Sequence, residues 1–153
     1  MKRQRKKYQK PLRPWDAERM QVEEKLVGRY GLKNKRELWR MQAILRGWRS
    51  QARRLLASKG VQAERETKQL LSRLHRLGLV GENATLDDVL GLTLENVLER
   101  RLQTVVWRRG LARSSKHARQ LITHRKLLLD GEVVCSPSLL LERGMEEKLE
   151  VRD

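Results

Sequence analysis

The stretch Leu98–Val134 constrains the fold most, because its apolar spacing changes from helical to hairpin-like within one short segment. In its first half the apolar residues recur at the spacing of one helical face. These residues are Leu98, Leu102, Val105 and Val106. Gly110 follows as a natural helix stop, because glycine adopts the left-handed backbone conformation without steric cost. The pattern predicts one amphipathic helix that ends near Gly110.

A second short helix is predicted after it. The Ser114 hydroxyl can cap the helix, and its apolar face is formed by Ala118, Leu121 and Ile122. A helix N-terminus presents unpaired N–H groups and the positive end of the helix dipole. Ser114, Ser115 and Lys116 are therefore a candidate phosphate seat.

A hairpin is predicted next, because Asp130-Gly131 favours a two-residue turn. Its strands are predicted at Leu127–Leu129 and Val133–Cys135, and Lys148–Val151 is expected to close the small sheet. With the helices upstream, the predicted fold class is α+β. It combines a mostly helical body with a module of two helices and a small antiparallel sheet (an alpha-L type motif).

Cations lie off the apolar stripes of both predicted module helices, where we expect them to be exposed. They are Arg100, Arg101, Arg108 and Arg109 on the first helix, and Arg113, Lys116 and Arg119 near the start of the second. Arginine exceeds lysine here, which suits bidentate phosphate contacts and stacking on bases. The arrangement indicates RNA binding.

The segment beginning at Thr85, TLDDVLGLTLENVLERRLQTVVWRRGLARSSKHARQLI, closely resembles the RNA-binding module named after small-subunit ribosomal protein S-four. The likeness is to the archaeal and eukaryotic branch of that family, and it continues upstream through GLKNKRELWRMQ and ARRLLA. The resemblance implies a cytoplasmic, structural component of the small ribosomal subunit that binds its rRNA at a helical junction and nucleates assembly. It also implies neighbouring ribosomal proteins as partners and a position near the region where messenger RNA enters.

The resemblance also assigns RNA-facing positions. They correspond to Arg101, Arg113, Ser114, Lys116, Arg119, Gln120 and His124. The family commonly has glycine where this chain has Arg125, so a left-handed backbone there would cost on the order of 1 kcal/mol. We expect Arg125 to recover this cost by contacting a phosphate, and we add Lys126 to the predicted RNA contacts.

The net charge of +16, from 35 basic against 19 acidic residues, implies an anionic partner. The predicted organisation is a basic flexible tail at residues 1–13, a helical body at residues 14–92 and the RNA-binding module, with its closing strand, at residues 93–153. In the tail, RNA contacts are predicted for Lys2, Arg3, Arg5, Lys6 and Lys7.

Three helices are predicted in the body. The first opens at Pro14, turns Trp15, Val22, Leu26 and Tyr30 inward, and stops at Gly31. The second and longest begins at a variant capping box of Asn34 and Glu37, and the third runs from about Gln62 to Leu77. The apolar stripe of the second helix is Leu38, Met41, Leu45, Trp48, Ala52 and Leu55, and its outward cations, predicted to bind RNA, are Arg36, Arg40, Arg49 and Arg53.

Other functional classes find little support in the sequence. The single cysteine, Cys135, excludes a disulfide framework and a multi-cysteine zinc site, and we expect it to be buried. His75, His117 and His124 lack metal-ligand spacing. The sequence also has no Gly-rich phosphate loop, no nucleophile elbow and no apolar run of about 18 residues. We therefore expect no enzyme activity, cofactor, metal, membrane partner or small-molecule substrate.

Two alternatives share the same module: an RNA-modifying enzyme such as a pseudouridine synthase, and a ribosome-associated stress or rescue factor. The former would need a further catalytic domain, whereas stoichiometric presence in salt-washed subunits would argue against the latter. The sequence also leaves open whether Trp39 and Trp107 stack on RNA or pack internally.

Overall fold

The computed structural model describes residues 6–152, which form an α+β fold that is mostly helical. The helices are α1 (Ala17–Tyr30), α2 (Lys35–Ala57), α3 (Val61–Arg76), α4 (Leu86–Gly91), α5 (Leu94–Glu99), α6 (Leu102–Arg108) and α7 (Ser115–Thr123). The strands are β1 (Leu127–Leu129), β2 (Glu132–Val133) and β3 (Leu149–Val151), paired antiparallel in the order β2-β1-β3. The predicted fold class is confirmed.

Helix α1 begins later than predicted, and part of its expected inward face is wrong. Its N-cap is Asp16, whose carboxylate accepts a hydrogen bond from the backbone N–H of Arg19, so Pro14 lies outside the helix. Trp15 precedes the helix and is 89% exposed, and Val22 is 58% exposed. The predicted stop at Gly31 is confirmed, with a φ of 60°.

Helix α2 confirms its predicted face, because all six residues of the apolar stripe are buried. The side chain of Asn34 caps the helix by accepting a hydrogen bond from the N–H of Glu37. The predicted capping box is only half formed, however, since the Glu37 carboxylate accepts hydrogen bonds from Arg101 and Arg119. This helix therefore contacts the chain far beyond its own turn.

The predicted helix from Leu98 to Gly110 is in fact two helices with a break at Arg100-Arg101. Arg101 is extended, with φ −72° and ψ 139°. The N–H of Arg101 still donates to the carbonyl of Leu98 in the preceding turn, but the N–H of Leu102 donates to the carbonyl of the distant Leu139 at 2.7 Å. Apolar spacing cannot reveal such a break, because all four stripe residues are buried on both sides of it.

The hairpin turn forms as predicted, with left-handed backbone at Asp130 (φ 54°) and Gly131 (φ 81°). Strand β2 is shorter than predicted and ends at Val133. Cys135 consequently lies beyond the strand and is exposed, which corrects the expectation that it is buried.

Two hydrophobic cores meet at the break between α5 and α6. The first contains buried residues from Tyr30 to Leu98, so α5 packs with the body helices, and the second contains buried residues from Leu102 to Leu149. Among residues 6–152, no helix combines the length and the apolar character needed to cross a bilayer.

Candidate nucleic-acid interface

The start of α7 carries exposed cations at a capped helix end. The Ser114 hydroxyl caps the helix by accepting a hydrogen bond from the N–H of His117 at 3.1 Å. His117 Nδ1 in turn accepts a hydrogen bond from the backbone N–H of Arg113 at 3.2 Å. The side chains of Arg113 and Lys116 are exposed and have no ion pair with any described residue. They are free to meet a phosphate.

The other end of α7 extends this basic face. Arg125 adopts the left-handed conformation, with φ 59°, as anticipated for a position where glycine is common. Its side chain and those of Gln120, His124 and Lys126 are exposed. We call Arg113, Lys116, Gln120, His124, Arg125 and Lys126 the α7 surface.

Four of the predicted RNA contacts, at the break and on α7, are less accessible to RNA than expected: Arg100, Arg101, Ser115 and Arg119. Arg101 was predicted to be exposed but is 0% exposed, and its guanidinium donates to Glu37 at 2.7 Å. Arg100 is largely buried, paired with Glu146 and hydrogen-bonded to the carbonyl of Leu141. Ser115 is 8% exposed. The break turns both arginines towards carboxylates, whereas Ser115 is buried because its side chain packs against Gly31.

Arg119, the fourth of these residues, is also engaged within the protein. Its guanidinium donates to both carboxylate oxygens of Glu37, at 2.7 and 3.1 Å, and to Gln103 Oε1 at 3.3 Å. Burial alone would raise the pKa of Glu37, but hydrogen bonds and charges from Arg119 and Arg101 together hold that pKa below its ordinary value. We call Glu37, Arg101, Gln103 and Arg119 the Glu37 cluster.

The two arginines at the end of α6 differ in how accessible they are to RNA. Arg108 is exposed but donates two hydrogen bonds to Glu99, at 2.8 and 3.1 Å, and its guanidinium carbon lies 4.7 Å from the Trp107 ring centroid. The pKa of Glu99 is lowered chiefly by Arg108. Arg109 is exposed and has no ion pair with a described residue, so it is the more available of the two.

The body presents a second set of cations. Arg36, Arg40 and Arg53 are exposed as predicted, whereas Arg49 is partly buried because its guanidinium donates to the carbonyl of Leu92. A groove of about 1240 Å³ runs between the segment before α1, α2 and the start of α5. Its cationic lining consists of Lys10, Arg13, Arg19, Arg46, Arg49 and Arg53.

Sequence reasoning missed Arg46 as a groove residue. The signal was present, because Arg46 lies opposite the apolar stripe of α2, where it is exposed. Of the predicted tail contacts, Lys6 and Lys7 are exposed, whereas Lys2, Arg3 and Arg5 lie outside the described residues.

The two open tryptophans differ in their surroundings. Trp39 Nε1 donates to the buried carboxylate of Glu23 at 3.0 Å, and its ring lies 6.1 Å from that of Tyr8, so this indole is engaged within the body. Trp107 packs against the second core and beneath Arg108. Both side chains are partly buried, and both have partners within the protein.

Comparison with known proteins shows the family to which the chain belongs. The family model described as the Ribosomal protein S4/S9 N-terminal domain matches residues 2–99, and the S4 domain model matches residues 100–146. Small ribosomal subunit protein uS4 of Ignicoccus hospitalis is 54% identical over 143 residues, which cover 94% of this chain and 86% of that protein. This chain belongs to the uS4 family.

Other members of the uS4 family give the same result. The protein of Hyperthermus butylicus is 51% identical over 95% of this chain and 83% of its own length. That of Nanoarchaeum equitans is 48% identical over 98% of this chain and 84% of its own length. The resemblance seen in the sequence is confirmed, and the family is one of structural ribosomal proteins and not of enzymes.

Proposed function

We propose that this protein is a structural component of the small ribosomal subunit that binds small-subunit rRNA directly through its α7 surface. Membership of the uS4 family places it among proteins of the cytoplasmic ribosome. The observation that carries RNA binding is the contrast at α7, where Arg113 and Lys116 are exposed on a capped helix end and pair with no acidic residue within 6–152. Four other arginines of the proposed module have carboxylate partners: Arg100, Arg101, Arg108 and Arg119.

The mechanism follows from general electrostatics. Arginine and lysine side chains neutralise phosphates and release counterions, which drives binding without reading sequence. Recognition should then depend mainly on the shape of the RNA, because a double-stranded RNA helix offers few readable base edges. Residues 93–153 would act as the RNA-binding module, and Arg36, Arg40, Arg53 and the groove on the helical body at residues 14–92 would extend the contact.

The finer assignments belong to the same proposal. The tail at residues 1–13 would bind the phosphates of nearby RNA through Lys6, Lys7 and the cations before them. We also propose neighbouring ribosomal proteins and incoming messenger RNA as partners. The rRNA contact would nucleate assembly of the subunit. The resemblance to the family supports these assignments.

A competition experiment tests direct and specific rRNA binding. A helical-junction fragment of archaeal small-subunit rRNA is titrated with the protein in the presence of excess unrelated RNA. The double variant Arg113→Ala/Lys116→Ala should lose affinity about tenfold or more if each side chain contacts a phosphate. The control Arg65→Ala/Lys68→Ala removes the same charges from the exposed side of α3 and should lose much less. Binding that unrelated RNA abolishes would contradict the proposal.

A further inference from the structure

The Glu37 cluster lies between the two cores and joins elements far apart in the chain. Glu37 is in the first turn of α2, Arg101 lies at the break before α6, and Arg119 is in the middle of α7. One carboxylate thus holds two guanidinium groups from the other side of the fold, with Oε1 and Oε2 each accepting a bond of 2.7 Å.

A side-chain amide strengthens the same connection. Gln103 is 0% exposed, and its Nε2 donates to the carbonyl oxygens of Gly31 and Ser115, both at 2.9 Å. Gln103 therefore fastens the end of α1 to the first turn of α7, while its Oε1 accepts from Arg119. A buried, hydrogen-bonded amide of this kind has few alternative positions, because leaving its groups unpaired would be costly.

The backbones also approach closely at this place. A Cβ atom built on Gly31 would lie 2.5 Å from Ser115 Oγ and 3.1 Å from the backbone nitrogen of Lys116. Glycine at residue 31 is therefore required both by its left-handed backbone and by the space left by α7. Lys116, a proposed RNA contact, lies directly at this contact.

We propose that Glu37 is a positioning residue. It sets the angle between the α7 surface and a second surface, the exposed α2 cations Arg36, Arg40 and Arg53. The inference rests on the proposed rRNA-binding function and adds how the two surfaces are held together. Arg101 shows why a carboxylate is needed here: its Nε and Nη1 have no hydrogen-bond partner among the described residues, so Glu37 supplies its charge compensation. A branched RNA that contacts both surfaces would depend on this angle, whereas an unbranched duplex on one surface would not.

The proposal makes a prediction opposite in sign to simple electrostatics. Glu37→Gln removes a negative charge from a cationic protein, so long-range attraction alone would raise affinity for any RNA. Positioning predicts instead that affinity for the branched rRNA fragment falls about tenfold, since a preorganised surface becomes mobile. Affinity for an unbranched RNA duplex of equal length should stay the same or rise slightly.

Two controls separate positioning from other effects. Glu95→Gln removes the same charge from an exposed residue paired with Arg29, and should leave the preference for branched RNA unchanged. Gly31→Ala should reproduce the selective loss by forcing α7 away, whereas Gly144→Ala has a similar positive φ with nothing within 4 Å and should not. Circular dichroism and thermal unfolding verify that each variant is folded.

The outcomes are distinguishable. If the wild-type protein binds neither RNA, the proposed function itself fails. If the wild type prefers the branched fragment but Glu37→Gln keeps that preference, or loses affinity for both RNAs equally while folded, the positioning role is wrong. A selective loss for the branched RNA in both Glu37→Gln and Gly31→Ala supports it.

Discussion

Two arginine-containing regions of this molecule meet at α7 yet have different surroundings. In the Glu37 cluster, Arg101 and Arg119 are buried or half-buried and share one carboxylate. On the α7 surface, Arg113 and Lys116 are exposed and have no acidic partner among the described residues. Positive charge alone therefore does not identify a nucleic-acid contact, because a guanidinium can equally stabilise the fold by pairing with a carboxylate.

The largest expected effect is the loss of stability on removing a buried arginine of the Glu37 cluster. Arg101→Ala leaves a cavity and removes one of the two guanidinium partners of Glu37, so the free energy of unfolding should fall by about 3–5 kcal/mol. Chemical denaturation measures the loss. Arg109→Ala, which truncates an exposed arginine at the end of α6, is the control and should change stability by less than about 0.5 kcal/mol. Equal losses in the two variants would show that burial does not distinguish these arginines.

The pH dependence of stability tests the ion pairs of Glu37 in the same cluster. Because the folded protein lowers the pKa of Glu37 below its ordinary value of 4.5, ionisation of this group stabilises the fold above that pH. The stabilisation is lost as the pH falls through the lowered pKa. The difference in unfolding free energy between wild type and Glu37→Gln should therefore shrink steadily below pH 4.5.

This difference measurement isolates Glu37 from other acids. Asp88 and Glu99 also have lowered pKa values in the fold, from the Thr85 cap and from Arg108 respectively. They titrate in both proteins and cancel in the comparison. A difference that stays constant from pH 7 to strongly acidic pH would mean that the carboxylate of Glu37 is not held by its two arginines.

The smallest expected effect is the change in stability on replacing Arg125, an exposed residue of the α7 surface. Its left-handed backbone costs on the order of 1 kcal/mol relative to glycine, so Arg125→Gly should stabilise the free protein by about that amount. If the side chain contacts a phosphate, the same variant should weaken rRNA binding. Thermal unfolding and RNA titration measure the two effects, and an unchanged affinity would refute the idea that RNA binding compensates the strain.

Much of the fold was predictable because local rules dominate it. The cap at Asn34, the stop at Gly31 and the hairpin at Asp130-Gly131 each follow from the chemistry of one or two residues. The buried stripe of α2 follows from helical spacing. These features need no knowledge of distant parts of the chain.

The candidate site was less predictable because its burial depends on distant partners. Spacing placed Arg101 off the apolar stripe, and it gave no sign that Glu37, 64 residues earlier, would accept its hydrogen bond. The exposure of Trp15 was missed for a different, local reason: the helix begins after it, at the Asp16 cap. The exposure of Arg113 and Lys116 was predicted correctly because both lie off the apolar face of α7, whereas Ser115 in the same turn is buried against the distant Gly31.

The salt dependence of binding tests whether the exposed cations of α7 bind phosphate while the buried arginines stabilise the fold that presents them. Affinity for the branched rRNA fragment is measured over a range of salt concentrations for wild type, Arg113→Ala and Arg101→Met, the last keeping much of the side-chain volume. The account predicts that Arg113→Ala lowers the slope of log affinity against log salt by about one, with stability unchanged. Arg101→Met should keep the wild-type slope while losing stability. A reduced slope in Arg101→Met with none in Arg113→Ala would contradict the account.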